Sequence, residues 1–121
     1  MLTLTVAVAA GLGAVLRYLV DQVVQHRTRG AFPFGTLLIN VSGSLLLGLV
    51  TGLALRHALP STTTLVVGTG FAGGFTTLST WAWESVALAE TGEPWAAAVN
   101  ALGSFALGLV AAGAGLGLAL L

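Results

Sequence analysis

The sequence has no cysteine, no lysine and almost no charge: four arginines and four acids among 121 residues, or 7% charged. Without cysteine there are no disulfides and no thiolate metal sites. Without lysine, and with a formal net charge of zero, there is no basic patch or arm for nucleic acid. A water-soluble domain needs about a quarter of its residues charged, so this chain cannot cover a soluble surface. Hydrophobic residues make up 56% of it, and the mean hydropathy is +0.99. The composition is that of an integral membrane protein. The start, MLTLTVAVAAGLGAVL, lacks a basic stretch before its apolar run and reads as a retained first span, not a cleaved signal.

Prolines are scarce and fall only at breaks in the hydrophobicity: Pro33 in HRTRGAFPF, Pro60 in RHALPS and Pro94 in ETGEP. Between the breaks lie four apolar runs, roughly 2–25, 35–55, 62–89 and 95–120, each long enough for a spanning helix of about 20 residues. The expected fold is therefore a single all-α domain of four transmembrane helices over residues 1–121. Tyr18, Trp83 and Trp95 stand near span ends, as interfacial aromatics do. Almost nothing is left for a domain outside the bilayer. The loop arginines, Arg27 and Arg29 on one side against Arg56 on the other, give only a weak orientation bias. Insertion in both orientations, with the two forms paired antiparallel, is compatible with that balance.

Small and polar residues recur at helical spacing. Asn40, Ser44, Gly48 and Gly52 are four apart on span two, as are Asn100, Ser104, Gly108 and Ala112 on span four. Such faces let membrane helices approach closely, which is the reading for Ser44, Gly48, Gly52 and Gly108. A carboxamide in lipid needs partners, so Asn40 and Asn100 serve either as interhelical glue or as the lining of a path. Arg17 and Asp21, also four apart, read as a local pair with the arginine snorkelling toward the headgroups. Glu84 reads as an interfacial carboxylate, with an ion-path role as the alternative. His26 and His57 fall in loops, remote from the hydroxyl cluster, so no nucleophile–base pair forms and catalysis is not expected.

Span three is the anomaly. GTGFAGGFTTLSTWAWE, residues 68–84, gathers four glycines followed by the hydroxyls of Thr76, Thr77, Ser79 and Thr80 where a helix should be strongest. The span centre falls at about residue 75, so GGFTT lies near the bilayer midplane. Interrupted backbone at that depth is tolerated only when buried in protein or lining a cavity. The pattern predicts a broken third helix whose freed carbonyls and N–H groups serve an ion.

Three motifs resemble the Fluc-type fluoride channel family, also called CrcB. Gly13-Ala14-Val15-Leu16-Arg17-Tyr18 is similar to its G-A-x-x-R-Y, and GTLLINVSGSLLLG (35–48) to its G-T-x-x-x-N-x-x-G-S-x-x-x-G. GFAGGFTTLSTWAWE (70–84) is similar to G-F-x-G-G-x-T-T-F-S-T-F-x-x-E. Together they run along most of the chain. The resemblance implies a dual-topology antiparallel homodimer in the cell (inner) membrane with two fluoride pores, exporting fluoride passively and protecting the cell from it. It implies a central structural Na⁺ held by the backbone carbonyls of Gly73 and Thr76. The implied fluoride path comprises Asn40, Asn100, Ser104 and Gly108, with Ser79 and Thr80 adding hydroxyls. Two phenylalanines of the family pattern are replaced here by Leu78, which has no ring quadrupole, and Trp81, which offers a ring edge and an N–H. The competing reading is a four-span proton-coupled multidrug transporter. That mechanism needs a carboxylate deep in the membrane, and the middle of span one has none.

Overall fold

A computed structural model describes residues 1–121. It is all helical: α1 (Leu2–Arg27), α2 (Phe34–Leu55), α3 (61–75), α4 (Ser79–Glu90) and α5 (Pro94–Leu120). Three of these, α1, α2 and α5, are long and apolar enough to cross a membrane alone. The fourth run of hydrophobicity is divided between α3 and α4.

The helix ends follow from local chemistry. Pro33 precedes α2, Pro60 precedes α3, and Pro94 occupies the first turn of α5, where its missing N–H costs nothing. At the end of α2, His57 takes the left-handed conformation (φ 57°), while Ala58 N–H bonds back to Leu53 O at 2.9 Å. Gly92 (φ 84°) closes α4 the same way, with Glu93 N–H on Leu88 O at 2.9 Å. Both ends satisfy carbonyls that the helix itself cannot. Arg56 Nη1 donates to Ala119 O at 3.2 Å, placing a cation at the C-terminal end of α5, where the helix dipole favours one.

Packing forms two close pairs, α2 with α5 and α1 with α3, and glycine permits both. A Cβ on Gly48 would strike the carbonyl of Ala112, and one on Gly115 the carbonyl of Leu45. Between α1 and α3, a Cβ on Gly13 would strike Phe71 O and one on Gly74 would strike Ala10 O. Backbone contact of this kind is how apolar helices gain packing energy where no hydrophobic effect separates them from lipid. Gly52, set against Ala119, extends the same face. Ser44 and Gly108 face each other on the same pair, a Cβ on Gly108 lying 3.5 Å from Ser44 Oγ, and both also line a cavity. Tyr18, Trp83 and Trp95 are all exposed. Two segments carry wider i→i+5 turns, Leu65–Ala72 in α3 and Val99–Gly103 in α5. Neither was legible in the sequence, and the second contains Asn100.

Candidate functional site

The interruption expected in the third span lies at Thr76, Thr77 and Leu78, between α3 and α4. Thr76 is extended (φ −76°, ψ 159°), so the chain steps sideways for three residues before helix resumes. Asn40, half-buried on α2, meets it with both ends of its amide. Its Oδ1 accepts the Thr77 N–H at 2.8 Å, and its Nδ2 donates to Thr77 O at 2.8 Å. One side chain thus satisfies both polar groups of a residue that helix geometry has abandoned. In a continuous helix the Thr77 N–H would bond to Gly73 O. Its diversion to Asn40 leaves the Gly73 carbonyl without that donor. The Thr76 hydroxyl bonds back to Ala72 O at 2.9 Å, and the Thr77 hydroxyl donates to Thr80 Oγ1 at 3.0 Å.

Arg17 corrects the expectation placed on it. Its Nη1 donates to Thr76 O at 3.2 Å, so it turns inward to the interruption and neither snorkels nor pairs with Asp21. The attraction of an unpaired carbonyl inside the subunit outweighs that of the headgroups, because a guanidinium donor there has no competing water. Asp21 packs against Gly35, and its Oδ1 is buried without a hydrogen-bond partner. Glu84, half-buried on α4, is held by α2. Its Oε1 accepts the Thr36 hydroxyl at 2.9 Å, while Oε2 is buried and unpartnered. Thr36 lies one turn before Asn40 on the same face of α2. That spacing was the signal by which the stripe could have been read as starting earlier.

Beside the interruption lies a cavity of about 310 Å³. Asn40, Ser44, Thr76, Thr77, Leu78, Trp81, Ser104, Phe105 and Gly108 are among the residues that line it. Asn40, Leu78, Trp81 and Ser104 are therefore brought together. Asn100 stands behind the wall, fully buried at 0% exposure. Its Nδ2 donates to Ser85 Oγ at 2.9 Å and its Oδ1 accepts from Ser104 Oγ at 3.2 Å. Its main-chain oxygen accepts the Trp81 indole N–H at 2.9 Å. Of the two roles left open for Asn100, this geometry is that of interhelical glue: it joins α4 to α5 and fixes the Trp81 ring at the cavity wall. Ser79 and Thr80 do not reach the cavity; they are exposed on the outer face of the subunit, as is Gly73. No group of three or more His, Cys, Asp or Glu side chains gathers to hold a metal.

Trp81→Phe tests the indole bond. It is expected to cost about 1 kcal/mol or more, read as a lower unfolding midpoint in detergent, because the Asn100 carbonyl keeps only the Ser104 N–H and the smaller ring leaves space at the wall. An unchanged midpoint would remove that bond from the account.

Comparison with known proteins places this architecture. A family model described as CrcB-like protein, Camphor Resistance (CrcB), matches residues 4–116. The chain is 49% identical over 116 residues to the fluoride-specific ion channel FluC 1 of Leifsonia xyli subsp. xyli, covering 96% of this chain and 85% of that one. It is 47% identical over 112 residues to FluC 1 of Streptomyces avermitilis, covering 93% and 90%. To FluC of Methylobacterium nodulans it is 47% identical over 115 residues, covering 94% and 92%.

Proposed function

The chain belongs to the CrcB family, and from that premise we propose that it is a channel conducting fluoride passively out of the cell across the inner membrane. The observation that carries the reading is the interrupted third span standing at the wall of a cavity where one amide and four hydroxyl residues are set among apolar side chains. Fluoride is small and holds its water tightly, so a path through the bilayer must replace that water with donors. The Asn40 amide uses one of its two N–H groups on Thr77, which leaves the second for an anion. The ring of Trp81 turns toward the same space, and aromatic edges carry partial positive charge. Leu78 offers none, so in this chain amide and hydroxyl donors take most of the load. Asn100 acts from behind, by holding Ser104 and Trp81. The movement is downhill and needs no chemical step. The family match leaves the proton-coupled drug transporter without support.

The working unit of this proposal is an antiparallel homodimer. Gly73, Leu78, Ser79 and Thr80 are exposed at the interruption, and hydrocarbon cannot satisfy polar groups at that depth. A second copy can, and a two-fold axis would bring two interruptions together. Ser79 and Thr80 then reach the path only in the assembled dimer. A structural Na⁺ fits the residues present: the Gly73 carbonyl lacks its helical donor, and the Thr76 carbonyl keeps one lone pair beyond its bond to Arg17. Hard oxygen donors suit such an ion, and when bound it would supply fixed positive charge near the anion paths.

The test is efflux from liposomes followed with a fluoride electrode. Rapid fluoride release with chloride retained is expected, and release no faster than from empty liposomes would sink the proposal. Replacing Na⁺ by a large organic cation throughout purification is expected to slow release. Indifference to Na⁺ would remove the ion, and crosslinking that captured only parallel subunits would remove the antiparallel arrangement.

A further inference from the structure

Ser44 sits on α2 one turn beyond Asn40 and lines the cavity described above. Serine and threonine in helices return their hydroxyl proton to the carbonyl four residues back, and this chain does so repeatedly: Ser42 to Leu38 O, Thr64 to Pro60 O, Ser85 to Trp81 O. Ser44 does not; its hydroxyl has no hydrogen-bond partner within the subunit, nor is it among the sealed, unpartnered polar atoms. Apart from one N–H of Asn40, the other donors of the cavity wall are engaged. The Ser104 hydroxyl donates to Asn100 Oδ1, the Thr77 hydroxyl to Thr80 Oγ1 and the Trp81 indole to the Asn100 carbonyl. Across the cavity, α5 presents Gly108, which has no side chain. A Cβ built there would lie 3.5 Å from Ser44 Oγ, ordinary contact distance, so the serine hydroxyl faces the space a larger residue would occupy.

We infer that Ser44 is an anion-contact residue, its hydroxyl being the next donor after the free Asn40 N–H along the path and standing in for the one that Gly108 cannot supply. The two donors are four residues apart on α2, about 6 Å along the axis, close enough for an ion to reach one as it leaves the other. A hydroxyl already bonded would have to break that bond first; Ser44 has none to break. This inference rests on the fluoride-channel reading, and wild-type protein is measured beside the variants to keep the two apart.

Ser44→Ala is expected to slow fluoride efflux from liposomes about tenfold, the effect of one hydrogen bond to an ion. Adding Gly108→Ser to it restores a hydroxyl from the opposite helix, for which the 3.5 Å contact leaves room, and is expected to recover efflux to within about threefold of wild type. Size-exclusion chromatography of each variant establishes that the assembly persists. Efflux unchanged in Ser44→Ala overturns the inference while leaving the channel intact. Slow efflux in an assembled double variant overturns it as well, since the serine would then act by packing. Absence of flux in wild type instead defeats the channel reading itself.

Discussion

Replacing Asn40 with alanine is expected to reduce fluoride efflux by about a hundredfold or more, because one truncation removes three things. It deletes an N–H available to the anion, and it strips both hydrogen bonds from Thr77, whose residue is only 8% exposed. A buried polar group left unpaired costs about 1–3 kcal/mol. Two such groups together cost roughly 2–6 kcal/mol of the stability that holds the interruption in place, before the lost anion contact is counted. Asn40→Asp sharpens the reading. Aspartate has nearly the same shape and can still accept from Thr77 N–H, yet when ionised it offers no donor to Thr77 O and sets negative charge beside an anion path. Both variants are expected to be slow in the fluoride-electrode assay. An aspartate variant as fast as wild type would take the Asn40 N–H groups out of the mechanism.

The second large effect is on assembly. Gly48→Val is expected to destabilise the chain by about 3 kcal/mol or more, measured as loss of monodisperse protein in detergent. The added side chain meets the Ala112 backbone, which has no rotamer to yield, while Gly115 holds the same two helices together from the other side against Leu45. Separating α2 from α5 would also open the cavity between Ser44 and Gly108. Gly117→Val is the control, since a Cβ there meets nothing within 4 Å. Equal yields for the two variants would show that the close approach at Gly48 is not needed.

The helices were legible because apolar length and proline placement are one-dimensional signals. Pro33, Pro60 and Pro94 mark where helices begin, and the observed bounds fall within two residues of the expected ones. The interruption was legible for the same reason: glycine and hydroxyl residues accumulate where nothing else would justify them. What lay beyond reach was direction. Whether Arg17 turns to Asp21 or to Thr76, and whether Glu84 turns to headgroups or to Thr36, depends on which helices flank α1 and α4. That is a fact of three dimensions. Asn100 had the same ambiguity, and a wider turn at Val99–Gly103 places it behind the wall. Ser44 was read as packing because serine and glycine are interchangeable on a small-residue face until the facing helix is known.

The short length of α3 also constrains how the protein is made. Fifteen helical residues, 61–75, extend only about 22 Å, less than the roughly 30 Å of hydrocarbon they must cross. The remainder is covered only after the chain has passed Thr76–Leu78, where Thr77 depends on Asn40 of α2 and the Thr76 carbonyl on Arg17 of α1. The third span therefore cannot be stored alone in lipid at low cost, as a continuous helix can. It settles against α1 and α2, both earlier in the chain, which supply the partners that Thr76 and Thr77 need.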